Sequence, residues 1–192
     1  GGGSFVGKVS ADRAHALLAN YFYFRNISID DIYQVRALYK LLGQILAAGV
    51  FILISGKTLV TMGDLFGTGG LRLGWLEIPV TIFCIAGFIN ALNLSDGLDG
   101  LAGGISAIAA LFLMGLAIQA QQWESFAILL ALSGAIIGFL RYNTFPARLF
   151  MGDTGSLFLG YTLATCSVIM LSGTADSDPL LIKPVSMLVI LA

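Results

Sequence analysis

Apolar runs of about 16–19 residues recur along this chain, each closed by a short polar stretch. They lie at 37–55, 76–94, 101–118, 125–140 and 155–172, with a shorter run at 180–192. As helices rising 1.5 Å per residue, such runs cross most of a ~30 Å hydrocarbon core. The alternation of barrel strands is missing, and the Leu, Ala and Gly content favours helices. With 57% apolar and 11% charged residues, the chain cannot coat itself with a water-facing shell, since soluble domains carry about 25% charge. A soluble enzyme, a disordered chain and, at net charge −1, a nucleic-acid binder are all disfavoured. The expected fold is all-α, a polytopic transmembrane helical bundle of five to six spans in the lipid bilayer, with no nucleic-acid partner.

Residues 1–29 are read as an N-terminal segment of uncertain structure, because the apolar stretch HALLANYFYF (15–24) is short and ends at Arg25 and Asn26. Residues 30–192 are read as one transmembrane core. The chain opens Gly1-Gly2-Gly3-Ser4 without an initiator Met and stops at Leu191-Ala192 inside an apolar run. The expectation is a piece of a longer protein, truncated at both ends.

Span parity then groups the polar stretches. Asp30-Asp31 precedes the first confident span, Asp96–Gly104 follows two spans and Arg141–Ser156 follows four. Even numbers of crossings return all three to one membrane face. Arg36, Lys40, Arg141 and Arg148 lie on or near it, against Lys57, Arg72 and Lys183 opposite, so the excess of basic residues makes it the cytoplasmic face. Of the 11 acidic residues, Asp30, Asp31, Asp96, Asp99 and Asp153 gather there. A single loop Asp is more often a solvated turn, but three Asp-bearing stretches among Gly and Asn point to a site.

In NALNLSDGLDGLAGG (90–104), Asn90, Asn93, Asp96 and Asp99 recur every three residues. Gly97 and Gly100 predict a break, with a new helix beginning beyond it whose N–H groups and positive dipole end suit phosphate. The adjacent Asp30 and Asp31 point about 100° apart on a helix, so two roles fit them better than one. The stretch 141–156 combines Arg141, Arg148 and Asp153. Asp153 suits a hard cation, the arginines suit phosphate oxygens, and Phe150 offers a ring for stacking. Membrane anchoring is the bland reading of the arginines, and packing that of the Phe. Gly67-Thr68-Gly69-Gly70 lacks the Lys-Ser/Thr ending of a phosphate loop, and His15 is the only histidine, which leaves a zinc site unsupported.

Carboxylates beside basic residues at span ends suit Mg2+, with Mn2+ as a substitute, bridging protein and substrate phosphates. An ion transporter would place its carboxylates nearer the bilayer midplane, on broken helices; it remains the competing class, with a non-catalytic membrane scaffold as a third.

NALNLSDGLDGLAGG (90–104) and RLFMGDTGSLFLGY (148–161) resemble the two signature stretches of the bacterial polyprenyl-phosphate N-acetylhexosamine-1-phosphate transferases, glycosyltransferase family 4. DDIYQVRALYKLLGQ (30–44) is similar to the family's aspartate-pair stretch. The resemblance covers about residues 30–192. It implies an Mg2+-dependent enzyme of cell-envelope polysaccharide biosynthesis, including cell wall or lipopolysaccharide, in the bacterial cytoplasmic membrane. The reaction would pass a sugar 1-phosphate from a UDP-N-acetylhexosamine to polyprenyl (undecaprenyl) phosphate and release UMP. The wording RYNTFPARLF (141–150) leans towards N-acetylglucosamine; phospho-muramoyl-pentapeptide transfer is the alternative.

By the same resemblance, Asp153 is the metal ligand, and Asp30, Asp31, Asp96 and Asp99 are catalytic. Asp30 and Asp31 would sit near the lipid phosphate, one accepting its proton. Asn90, Asn93, Lys40, Arg148 and Phe150 would bind substrate, with Asn90, Asn93, Asp96 and Asp99 towards the nucleotide and pyrophosphate and Phe150 against uracil. A homodimer is a further partner to consider. The family's C-terminal histidine-rich loop does not occur in this chain, and NYFYFRNIS (20–28) is less apolar than the family's helix before the aspartate pair. The resemblance therefore implies an inactive piece of an active enzyme.

Overall fold

The computed structural model describes residues 37–60 and 72–173. These form five helices: α1 (Ala37–Ser55), α2 (Glu77–Ser95), α3 (Leu101–Gln119), α4 (Trp123–Asn143) and α5 (Gly152–Gly173). A single 3-10 turn, Gly74–Leu76, leads into α2. Each helix is long and apolar enough to cross a membrane. Large apolar side chains face outward, with Leu53 85%, Phe83 77% and Ile108 71% exposed. A surface of that kind is stable in lipid and not in water. The chain is a multi-pass membrane protein.

From α2 onward the connections are short, so successive helices run antiparallel. Residues 96–100 join α2 to α3, and Gly100 adopts φ +77°, a left-handed conformation that only glycine enters without strain. Residues 120–122 join α3 to α4, and 144–151 join α4 to α5 through a cis Phe145–Pro146 bond.

Helix α5 is the centre of the bundle, with 67% of its span buried against 22–39% for the others. It packs most extensively on α2, and α3 on α4. One apolar core joins Leu92, Leu113, Leu129, Ile136 and Leu163 from α2 to α5; a second joins Phe51 and Ile52 of α1 to Ile85 and Ile89 of α2 and Leu157 and Tyr161 of α5. Several Ser and Thr hydroxyls on α5 are absorbed by its own backbone, as with Thr162 to Phe158 O (2.9 Å) and Thr165 to Tyr161 O (2.8 Å). A buried helix tolerates them on that condition.

The expected spans 37–55 and 101–118 match α1 and α3 closely. Two others differ. The run 125–140 extends to Asn143 because that side chain turns inward and is paired. Helix α5 begins at Gly152, so Asp153 stands in a first helical turn, where the dipole favours an acid, and not in a loop. The expected run 180–192, the stretch 15–24, and Asp30 and Asp31 lie outside the described residues.

Candidate active site

The described polar stretches share one end of the bundle, as span parity requires. The starts of α1, α3 and α5 and the ends of α2 and α4 meet at one end of the bundle, tied by hydrogen bonds between them.

At the centre of that end is Asp153. Its Oδ2 accepts from the Lys40 ammonium in an ion pair that joins the first turns of α5 and α1. Its Oδ1 accepts from Asn93 Nδ2 at 3.2 Å, and the same Asn93 amide donates to Ser156 Oγ at 2.8 Å. The Ser156 hydroxyl donates in turn to Gly152 O and Asp153 O, closing the first turn of α5. Lys40 and Asp153 are half-buried, 26% and 42% exposed, so their charges are neither fully hydrated nor sealed away.

Asp96 follows the last turn of α2, its N–H donating to Asn93 O at 3.2 Å. Burial, and then the negative charge of Asp153, push its carboxyl above the usual carboxylate range. Asn90 lies one turn deeper along α2. Its Nδ2 donates to Gln44 Oε1 of α1 (2.6 Å) and to Ala86 O (2.8 Å), and its Oδ1 accepts from Gln44 Nε2 at 3.4 Å.

Asp99 stands apart from Asp153's partners. Its Oδ2 accepts the Ala147 N–H at 3.0 Å and pins the 144–151 connection. Buried Asn143 pins it from the other side, donating to Leu149 O (2.8 Å) and accepting the Gly100 N–H (3.0 Å). The start of α3 is therefore closed. Asn143 takes the Gly100 N–H, Leu98 O takes that of Leu101, and Ala102 and Gly103 are buried, with the Leu140 side chain against Gly103. The expected phosphate cradle at that helix start is a packed joint instead.

Arg148 is exposed. With Arg141, Tyr142, Thr144, Phe145 and Pro146 it lines a shallow cavity of about 380 Å³. Phe150 is 73% exposed, so its ring is not spent in packing. The structure thus brings together Lys40, Asn93, Asp96 and Asp153, with Asn90 beneath them, and sets Asp99, Arg148 and Phe150 on the adjoining connection. Sequence reasoning missed Gln44, Ser156 and Asn143. The available signals were a glutamine one turn from Lys40, a serine at i+3 from Asp153, and an asparagine between apolar and Pro-containing stretches.

The family described as glycosyl transferase family 4 matches residues 16–171. Among curated relatives, a protein named probable undecaprenyl-phosphate N-acetylglucosaminyl 1-phosphate transferase from Bacillus subtilis is 40% identical over 141 residues, covering 73% of this chain and 39% of that protein. A phospho-N-acetylmuramoyl-pentapeptide-transferase from Desulforudis audaxviator is 46% identical over 146 residues, covering 70% of this chain and 43% of that protein. A protein of the latter name from Lactobacillus gasseri is 38% identical over 156 residues, 78% of this chain and 45% of its own length. The chain spans about two fifths of the length of these relatives.

Proposed function

The chain belongs to glycosyl transferase family 4, and from that premise we propose that it carries the core of an enzyme passing an N-acetylhexosamine 1-phosphate from a UDP-sugar to polyprenyl phosphate. In this reaction an oxygen of the lipid phosphate bonds to the β-phosphorus of the UDP-sugar. The bond from that phosphorus to the α–β bridging oxygen breaks, and UMP leaves.

The observation that carries the reading is the meeting of Lys40, Asn93, Asp96 and Asp153 at one end of the bundle. A lipid phosphate arrives along the membrane surface and a nucleotide from water, and span ends are where both reach. Carboxylates deep among the helices would suit ion transport better.

The donor set also fits Mg2+, or Mn2+ in its place. Among the described residues no group of three or more His, Cys, Asp and Glu side chains is poised for a metal. Asp153 with Asp96 beside it is the oxygen-only, carboxylate-poor arrangement that this ion completes with substrate phosphates and water. Asp153 would hold the ion and Asp96 would support it; bound there, the ion supplies charge neutralisation for the two phosphate groups. Lys40 opposes the negative charge of Asp153 and of an arriving phosphate. Asn93 fixes the Asp153 carboxylate. Asp99 and Asn143 hold the connection that presents Arg148 and Phe150, which are assigned to phosphate and uracil. Arg141 and Arg148 make no ion pair among the described residues, which leaves both guanidiniums available. Asp30 and Asp31 are assigned to the lipid phosphate by family resemblance.

The membrane is assigned as the bacterial cytoplasmic membrane, with the site facing the cytoplasm. Lys40, Arg141 and Arg148 at the site end, against Lys57 and Arg72 at the other, support that orientation. N-acetylglucosamine is the proposed sugar; relatives of both names make the muramoyl-pentapeptide branch the comparison to run.

The full-length protein in membranes, given polyprenyl phosphate and Mg2+, is expected to release UMP from UDP-N-acetylglucosamine. Asp153→Asn should lower the rate by about 10²–10³-fold. No release with either sugar nucleotide, or full activity in Asp153→Asn, refutes the proposal.

A further inference from the structure

We propose that Gln44 and Asn90 form a positioning clasp for the Lys40–Asp153 pair, and that Asn90 acts through Gln44 and not on the nucleotide. The inference rests on the transferase reading above and departs from the role that family resemblance gives Asn90.

Two polar levels cross from helix to helix at the site end. Lys40 and Gln44 are one turn apart on α1, and Asn90 and Asn93 are three residues apart on α2, so each pair shares a helix face. The outer level is Lys40, Asp153 and Asn93. The inner level is the reciprocal amide pair, with Asn90 Nδ2 donating to Gln44 Oε1 at 2.6 Å and Gln44 Nε2 donating to Asn90 Oδ1 at 3.4 Å.

Asn90 also donates to Ala86 O at 2.8 Å, so both hydrogens of its amide point into the protein. Neither is left for a pyrophosphate or a uracil carbonyl. Gln44 is 1% exposed and sits inside a span, where an unpaired amide is not tolerated. These amides face one another.

What the pair does follows from geometry. Sliding α1 along α2 by one residue moves the amides 1.5 Å, well beyond the tolerance of a hydrogen bond. The clasp therefore admits one register. In that register Lys40, one turn away, lands on Asp153 across a separation of 113 residues in sequence. Gln44 and Asn90 are thus positioning residues for the phosphate-binding charge pair.

The test uses the full-length protein in membranes, assayed for UMP release over a range of UDP-sugar concentrations. Asn90→Ala and Gln44→Leu should each lower kcat by about 10- to 100-fold while KM for the UDP-sugar stays within about twofold. The double variant should be no worse than the weaker single, and the exchange Gln44→Asn with Asn90→Gln should regain most of the rate. Should Gln44→Leu fail to fold, the exchange variant carries the test: a folded, inactive Gln44→Asn with Asn90→Gln overturns the clasp. A raised KM in Asn90→Ala with Gln44→Leu unaffected makes Asn90 a nucleotide ligand and overturns it, as do additive losses. If the wild type releases no UMP, the transferase reading fails and the clasp with it; if the wild type is active and Gln44→Leu is too, the clasp alone fails.

Discussion

Gly160 offers a sharp test of how the bundle holds its site. A Cβ there would stand 2.9 Å from Ile89 Cα and 3.5 Å from Ile89 Cβ and Cγ1, across the α2–α5 contact. Carbon atoms in contact settle at about 3.5–4.0 Å, so Gly160→Ala must part the two backbones by roughly 0.6–1.1 Å. Ile89 Cα is backbone and has no rotamer to give. Asn93 lies one turn from Ile89, and Ser156 one turn from Gly160, so the displacement arrives where Asn93 holds Asp153 at 3.2 Å and Ser156 at 2.8 Å. The longer bond is already at the end of the usual range, and half the displacement takes it outside.

Overpacking costs about 1–3 kcal/mol, and the better helix propensity of Ala returns at most about 1 kcal/mol. The net destabilisation is about 0–2 kcal/mol, a few degrees in the unfolding midpoint for a chain of this size. Activity should fall further than stability, because a hydrogen bond on the proposed metal ligand is lost. Gly138→Ala is the control, since a Cβ there meets nothing within 4 Å, and it should be neutral or stabilising. The assays are thermal unfolding in detergent and UMP release in membranes. Native midpoint and native rate in Gly160→Ala would refute the close-approach argument, as would an equal loss in Gly138→Ala.

Two further outcomes follow from the polar groups around the site. Asn143→Ala removes the partner of the Gly100 N–H and of Leu149 O, two hydrogen bonds worth about 0.5–1.5 kcal/mol each. Cleavage of the 144–151 connection by added protease should accelerate, and an unchanged rate would show that Asn143 does not hold it. Burial and Asp153 raise the Asp96 carboxyl, so in the folded protein its proton is favoured and the stability linked to it is lost as pH rises through the raised value. With divalent ions chelated, Asp96→Asn should therefore unfold at a higher temperature than wild type near about pH 8 and match it near about pH 3. A variant equal to or weaker than wild type at the higher pH contradicts that sign.

Much of the bundle was legible because hydrocarbon punishes polar atoms, so 37–55 and 101–118 read directly as helices. The boundaries that failed are those where polar residues are satisfied by other helices. Asn143 looked like loop because its partners, Gly100 and Leu149, are invisible in a linear reading. Asp153 looked like loop because Gly152 and Thr154 flank it, although an acid in a first turn is favourable. The three-residue spacing of Asn90, Asn93, Asp96 and Asp99 was visible, but its division was not. The helix ends at Ser95, so Asn90 and Asn93 share a face towards α1 and α5, while Asp96 and Asp99 leave on the turn. Gln44 escaped notice because a lone glutamine in an apolar run has no motif. Only its partner, 46 residues away, gives it meaning.

The two central carboxylates differ by placement more than by identity. Asp153 occupies the first turn of α5, next to the positive end of the helix dipole, with Lys40 on one oxygen and Asn93 on the other. Asp96 stands just past the last turn of α2, at the negative end of a dipole, part-buried and facing the charge of Asp153. The helix dipole, Lys40 and Asn93 favour the Asp153 anion, whereas burial and the charge of Asp153 oppose that of Asp96. An incoming pair of phosphates adds negative charge and worsens the position of Asp96 unless a cation enters with them. A cation arriving with the proposed anionic substrates would relieve the repulsion between Asp96 and Asp153.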